Sequence, residues 1–218
     1  MKKRAKMLGI RNFQEGSGAM GKAAENKQQK REALLNTAFK LFTTKGLHNT
    51  SISDIVEQAG VAKGTFYLYF KDKYDINNKL MVHRSTMLFD AAMERLHEKG
   101  LTDYREKLLF IADDIITALT ENKLLLMFIS KNLGLGFYHF TMENEQIVEY
   151  PSIHNAYLEL VHDTEDVISD PKLMLYMIIE LIGSSIYSSI LYEQPVDVDT
   201  LKPHLYRSIN AIIDQFLL

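Results

Sequence analysis

The chain has 218 residues, 46% hydrophobic and 24% charged, which is the composition of an ordinary globular protein and not of a disordered one. It contains no cysteine, which excludes disulfides, thiolate metal sites and a cysteine nucleophile. The net charge of −3 is unevenly distributed, because residues 1–79 hold 15 Lys and Arg against 7 Asp and Glu whereas residues 80–218 hold 10 against 21. A basic front on an acidic remainder favours a polyanionic partner for the front.

Residues 1–25 are basic and contain four glycines without a sustained apolar period, which predicts a mobile tail. The basic N-terminus lacks the apolar segment of a signal peptide. Residues 173–192 are long and apolar enough for a membrane candidate, but four serines and Glu180 favour a buried interface helix. We therefore expect a cytoplasmic protein without a membrane partner.

Helical periodicity begins after the tail. Apolar residues at three- and four-residue steps predict a first helix over about 27–45, ended by Gly46. A capping box from Ser51 to Asp54 starts a second helix, which Gly60 ends. The pattern continues with a third helix over about 62–69 and a fourth over about 73–99.

The remaining sequence is also helical in pattern. Further helices are predicted over about 103–120, 123–133, 152–164, 171–193 and 200–217, with Pro203 in the first turn of the last helix. No strand alternation is evident. The sequence predicts an all-α fold, with a front part over 26–72 and a rear part over 73–218.

Residues 50–73 contain the most informative pattern. Two short helices are separated by a turn at Gly60, and Phe66 and Phe70 fall on one side of the second helix. The other side is small, hydroxylated and aromatic, unlike an ordinary charged surface. Such a face suits a helix whose N-terminal end enters a DNA major groove, although it is also compatible with tyrosines that only cover a helix junction.

Residues 27–80 resemble the DNA-binding domain of the TetR/AcrR family of bacterial regulators. The resemblance rests on residues that stand in register with that family's pattern: Ala38–Phe42, Gly46, Thr50, Ile55, Ala59–Val61, Lys63–Tyr67, Tyr69, Phe70, Lys73 and Leu80. Leu68 departs from it, since many members have a polar ring there. The departure puts a base contact from this position in doubt.

The resemblance implies a set of residues that contact DNA bases or phosphates. These are Thr50, Ser51, Lys63, Gly64, Thr65, Tyr67, Tyr69 and Lys73. It also implies a three-helix helix-turn-helix DNA-binding domain over 26–72 and a helical effector-binding and dimerisation domain over 73–218. The protein is then expected to be a homodimer that reads a palindromic operator on double-stranded DNA. Release of a repressor by a small-molecule effector is the expected mode of regulation.

The last two helices are the expected dimer interface. Residues 171–193 are apolar around nearly the whole helix, and their glycine and serines allow close helix approach. The alternative is an interior helix of a monomer. The predicted interface residues are Gly183, Ser184, Tyr187, Ser188, Leu205, Ile209, Ile212 and Phe216.

Aromatic residues and methionines concentrate in residues 124–157, where they could line an apolar pocket or form plain core. The candidate effector-binding residues are Tyr104, Phe128, Phe137, His154, Tyr157 and Met177. Haem or a metal at His139, His154 or His162 is a minor alternative, because no metal-ligand spacing is present. We expect no required cofactor and no resident metal.

Two other functional classes remain as alternatives. The first is a DNA binder of the same family without a small-molecule effector, constitutive or controlled by a protein partner. The second is an enzyme on a helical scaffold, against which the sequence shows no hydrolase, metalloprotease or dinucleotide motif. We expect no catalytic residues.

Overall fold

The computed structural model describes residues 16–130, Tyr157, Leu160 and residues 167–218. Within these ranges it is all-α, as predicted, with no strand beyond an isolated β-bridge between Ile168 and Leu217. The helices are α1 (Gly16–Thr44), α2 (Ile52–Ala59), α3 (Lys63–Tyr67), α4 (Lys73–Lys99), α5 (Tyr104–Glu121), α6 (Lys123–Ser130), α7 (Pro171–Tyr192) and α8 (Val198–Phe216). Most of the predicted helix over 152–164 lies outside the described residues.

Short polar side chains fix where most of these helices begin. The side chains of Asp72, Asp103, Asp170 and Asp197 each accept a hydrogen bond from a backbone N–H in the first turn of α4, α5, α7 and α8. Such caps satisfy donors that have no partner inside the helix. Local capping therefore explains why the predicted and observed starts of these helices agree closely.

Two helix details differ from the prediction. Helix α1 begins at Gly16 and not near Lys27, so residues 16–25 are helical, while the predicted mobility of the tail stays a prediction. Pro203 lies in the interior of α8, since the helix begins at Val198 and not near residue 200. The division into domains at residue 72 stays a prediction.

The first four helices contribute fully buried residues to the hydrophobic core. Leu34 and Leu35 of α1, Ile55 of α2, Phe66 of α3 and Ile76 of α4 are all fully buried. They come from four helices within fifty residues, so each helix buries its apolar face against the others. This core holds α2 and α3 in place on α1 and α4.

The long helix α4 connects this core to the rear helices, packing on α1 at one end and on α5 at the other. Helix α7 packs mainly on α8 and α6. Ion pairs reinforce the rear helices: Arg95 of α4 pairs with Asp114 of α5, and Lys202 of α8 pairs with Asp113 of α5 at 2.8 Å. Within the described ranges, α7 is the one helix that length and composition alone would allow to span a membrane.

Candidate nucleic-acid interface

The turn between α2 and α3 is built from local signals. Ser51 accepts a hydrogen bond from the Asp54 N–H at 3.1 Å, and the Asp54 carboxylate accepts one from the Ser51 N–H at 2.8 Å. These hydrogen bonds hold the pKa of the Asp54 carboxyl below its usual range. Gly60 ends α2 in the left-handed region, with φ of 67°. The capping box and the glycine thus set the angle at which α3 leaves α2.

Two buried phenylalanines fix the position of α3: Phe66 within the helix and Phe70 just after its end. Phe66 and Phe70 are buried, and their ring centroids lie 5.5 Å apart. Because both side chains point into the core, the opposite face of α3 must point outward. The predicted division of this helix into a packing face and an outward face is what the structure shows.

The outward face of α3 presents a short cationic, hydroxyl and aromatic series. Lys63 and Gly64 are exposed, Thr65 is half-buried, and Tyr67 is 53% exposed. Among the described residues, Lys63 and Tyr67 have no side-chain hydrogen-bond or ion-pair partner. A Cβ added at Gly64 would meet nothing within 4 Å. The glycine is therefore not needed for packing within the chain, and it leaves room for a partner to approach the backbone.

Three other predicted contact residues have side-chain hydroxyls that form hydrogen bonds within the protein. The buried Thr50 hydroxyl donates to the Gly46 carbonyl at 2.9 Å, and the Ser51 hydroxyl belongs to the capping box. The Tyr69 hydroxyl donates to the Lys27 carbonyl of α1 at 3.1 Å. These side chains therefore brace the motif within the chain, and their implied phosphate contacts stay predictions.

Lys73 has a comparable bracing position. Its ammonium donates to the carbonyls of Leu47 at 3.1 Å and His48 at 3.0 Å, in the loop between α1 and α2. In this structure Lys73 ties α4 to that loop, and its implied role as a clamp on the DNA backbone stays a prediction. No sequence pattern identifies these carbonyls, because they lie 25 and 26 residues away.

Leu68, whose contact with a DNA base the sequence puts in doubt, is an exposed apolar residue beside the outward face of α3. It is 77% exposed immediately after α3, next to Tyr67. A solvent-exposed leucine at the end of an outward-facing helix offers an apolar contact of the kind that thymine methyl groups receive. Its departure from the polar ring of the resembled family was the available signal.

We call α1 to α3 with the first part of α4 the front unit, and α5 to α8 the rear helices. A contact between aromatic rings and an arginine joins the two. The rings of Phe39 in α1 and Phe128 in α6 meet edge to face with centroids 5.4 Å apart. The Arg84 guanidinium of α4 lies 4.8 Å from the Phe39 centroid and donates to Asn36 at 2.6 Å. Three helices from both parts of the chain therefore meet at one ring.

A cavity of about 130 Å³ lies beside this junction, among α4, α5, α6 and α7. None of the described residues lining it is charged, and most are leucine, isoleucine or phenylalanine. The Ser130 hydroxyl at its edge is buried without a hydrogen-bond partner in the described part of the chain. Such an apolar space with few polar groups is typical of a small-molecule site.

The predicted effector-binding residues are only partly brought together there. Tyr157 lines the cavity and donates from its hydroxyl to the Pro171 carbonyl at 2.8 Å, while burial raises the pKa of this tyrosine. Tyr104, Phe128 and Met177 do not line it, because their side chains belong to the surrounding core. Phe137 and His154 lie outside the described residues, as do His139 and His162.

The predicted dimer residues separate into two groups. Leu205, Ile209 and Phe216 are buried within this single chain, so the expectation that they face a partner is wrong. Ser184 is exposed, while the remaining predicted residues are half-buried: Gly183, Tyr187, Ser188 and Ile212. Gly183 also borders the cavity. The accessible part of the predicted interface is thus centred on α7.

Comparisons with known proteins agree with this architecture. A family model described as bacterial regulatory proteins, tetR family, matches residues 34–79. An HTH-type transcriptional regulator of Staphylococcus aureus is 25% identical over 194 residues, covering 88% of this chain and 95% of its own length. The uncharacterized HTH-type transcriptional regulator YvdT of Bacillus subtilis is 43% identical over 68 residues, which cover 31% of this chain and 35% of its own.

A solved structure shows a similar fold over most of the chain. The transcriptional regulator FadR of Bacillus subtilis, determined in complex with stearoyl-CoA, superposes with a TM-score of 0.52 at 21% identity. The superposition covers 82% of this chain and 96% of that one. At this identity the likeness concerns the fold alone.

Proposed function

The chain belongs to the TetR family of helix-turn-helix, DNA-binding transcriptional regulators, and we propose that it is a homodimeric repressor. A small apolar molecule releases this repressor from a palindromic operator. The observation that supports operator reading most strongly is the outward face of α3. There Lys63, Thr65 and Tyr67 stand beside a glycine whose missing side chain serves no packing need in this chain.

Each outward group suits one part of a DNA duplex. The Lys63 ammonium suits a phosphate, and the Thr65 and Tyr67 hydroxyls suit phosphate oxygens or base edges. Gly64 allows the backbone to approach DNA closely near the start of α3. Two such helices in a symmetric dimer would read half-sites about 34–36 Å apart.

The operator is identified by selecting genomic fragments that the purified full-length chain retains. The expected product is an inverted repeat whose half-site centres are separated by one helical turn, about 10–10.5 base pairs, or a multiple of it. Selection of a single unrepeated site would contradict a symmetric reader. Retention of unrelated fragments with no shared sequence would contradict specific reading.

The dimer is supported by the accessible surface of α7. Leu173 is 46% exposed and Tyr192 is 62% exposed on a helix that is otherwise largely apolar. A charged side chain at the exposed Ser184 should separate the protomers if this surface is the interface. Sedimentation of Ser184→Arg is expected to show a monomer, whereas Thr102→Arg, at an exposed position between α4 and α5, should remain a dimer.

Release by a ligand is supported by the cavity and by its position. A cavity of about 130 Å³ with apolar walls matches a molecule about the size of benzene, since a designed apolar cavity of about 150 Å³ binds benzene. Leu126 and Ile129 of α6 line the cavity, and Phe128 of the same helix contacts Phe39 of the front unit. Displacement of α6 by a ligand would therefore reach α1 directly.

Ligand release is tested by adding toluene, stearoyl-CoA or coenzyme A alone to the operator complex. We expect toluene to weaken operator binding and coenzyme A to have no effect, because none of the described residues lining the cavity carries a charge. Release by stearoyl-CoA alone would show that the ligand extends beyond the described cavity. Release by none of these probes would favour the constitutive or protein-controlled alternative.

A pair of variants on α5 links the effect to the cavity. Ala112 lines the cavity, so Ala112→Leu should fill part of it and abolish the response to toluene while operator binding persists. Ala118 lies on the same helix and does not line the cavity. Ala118→Leu is therefore the matched control and should keep the response.

A further inference from the structure

The first part of α1 is exposed at nearly every residue whose burial the structure describes. Helix α1 is 29 residues long, yet Lys22 and residues 24–30 are exposed, and the core face begins only at Arg31. The part of α1 from Gly16 to Lys27 is about 16 Å long, since a helix rises about 1.5 Å per residue. Exposed polar helices gain little stability from packing, so this segment offers a surface and does not contribute to the core.

This segment is fastened to the DNA-reading helix. Tyr69, two residues after the end of α3, donates its hydroxyl proton to the Lys27 carbonyl at 3.1 Å. The Lys79 ammonium of α4 in turn donates to the Tyr69 carbonyl at 3.1 Å. The exposed part of α1 is therefore tied at Lys27 to Tyr69, close to the end of α3, and Tyr69 is itself held by Lys79.

Its charge is complementary to a polyanion. Residues 22–30 contain Lys22, Lys27 and Lys30 against the single acid Glu25. At about 100° per residue the three lysines fall within an arc of about 140°, and Glu25 lies outside that arc. No ion pair of these lysines with another described residue is present, so their charges are available to a ligand.

We propose that residues 22–30 of α1 form a second DNA-contacting surface, which binds backbone phosphates of the duplex flanking the bases that α3 reads. This rests on DNA binding through α3, beside which the surface is anchored. Lysine contacts to phosphate add affinity and position the protein but carry no sequence information. The surface should therefore lengthen the footprint and raise the salt dependence without changing which operator is chosen.

The test compares two triple variants of the full-length chain. Lys22, Lys27 and Lys30 are all changed to Gln, which keeps helix propensity and removes three charges. The control changes Lys99, Lys123 and Lys172 to Gln, since these lysines are also exposed but lie at the far end of α4, on α6 and on α7. Both variants alter the net charge equally, and circular dichroism checks that both retain the wild-type helix content.

Dissociation constants are measured against salt on the selected operator, with and without about ten flanking base pairs on each side, and on a scrambled duplex of the longer length. On the flanked operator the α1 variant should lower the slope of log Kd against log salt by about 0.9 for each phosphate that a lysine no longer neutralises. The same decrease is expected on the scrambled duplex, because phosphate contacts are independent of sequence. On the trimmed operator the two variants should coincide.

Equal slopes for the two variants on the flanked and scrambled duplexes would overturn the second surface. That result leaves operator reading by α3 intact if both variants still prefer the operator to the scrambled duplex. Absence of that preference in the wild type would instead contradict the proposed function. The slope on the scrambled duplex would still decide whether α1 contacts phosphates.

Discussion

The front unit and the rear helices differ in whether polar side chains are hydrogen-bonded and in how closely the helices pack. Around α2 and α3, side chains such as Thr50, Tyr69 and Lys73 donate to specific carbonyls, and the core beneath is fully buried. Between α4 and α7 the structure instead leaves a cavity and a buried Ser130 hydroxyl without a described partner. In the proposed function, the braced front presents α3 to DNA in one arrangement, and the cavity at the rear is the space that a ligand would occupy.

The largest expected effect separates the buried face of α3 from its exposed face. Phe66 is fully buried, so Phe66→Ala should lower the free energy of unfolding by about 3–5 kcal/mol. Its neighbour Tyr67 is 53% exposed, and Tyr67→Ala should leave the unfolding free energy within about 0.5 kcal/mol of wild type. Urea denaturation measures both, and equal decreases would show that α3 has no free outward face. Should Phe66→Ala fail to fold, Phe66→Leu retains most of the buried volume and should show a smaller decrease.

The next largest effect is expected at the contact between Phe39 and Phe128, which joins the front unit to the rear helices. Phe128→Leu keeps an apolar side chain but removes the edge-to-face contact with Phe39. We expect the variant to bind the operator normally and to lose much of a coupling free energy of about 1–3 kcal/mol between ligand and DNA. The measurement is the ratio of operator Kd with and without toluene. An unchanged ratio would mean that the signal does not pass through this ring.

Two glycines of the front unit should respond differently to the same substitution. Gly60 has a φ of 67°, so Gly60→Ala should cost about 1–2 kcal/mol of unfolding free energy through backbone strain alone. Gly64→Ala adds a methyl group in open space within an ordinary helix and should not destabilise the protein. It should weaken DNA binding instead. If Gly64→Ala bound DNA as wild type does, close approach of DNA at this position would be contradicted.

The smallest expected effect concerns a single exposed charge. Lys63→Ala should weaken binding to operator and scrambled duplexes alike and lower the salt slope by about one unit. The reason is that a lysine ammonium recognises phosphate as a point charge. A selective decrease in operator binding would show that Lys63 contacts a base.

How far the sequence predicts this structure depends on how local each feature is. The capping box at Ser51, the turn at Gly60 and the aspartate caps involve neighbouring residues, and their helices were predicted to within a few positions. The bracing contacts of Lys73 and Tyr69 were not predicted, because their partners lie 26 and 42 residues away in the sequence. Exposure of these side chains depends on the assembled fold and not on the sequence pattern.

The rear of the chain shows the limit of periodicity. An apolar stripe on α8 indicates a buried face, but it does not distinguish the interior of the chain from a dimer interface, and Leu205 and Ile209 proved to be interior. The same ambiguity explains why Tyr157 lines the cavity while Phe128 and Met177 do not. A free space is a property of three-dimensional packing and leaves no periodic signal.

The most direct test of operator reading by α3 is the fluorescence anisotropy of a labelled duplex from the region upstream of this protein's own gene. Wild type and Tyr67→Ala are titrated at one salt concentration, against the native and a scrambled duplex. We expect wild type to prefer the native duplex, and Tyr67→Ala to lose about 1–3 kcal/mol of binding free energy on it while keeping its weak binding to the scrambled one. Equal native affinities of the two proteins would contradict reading by this face.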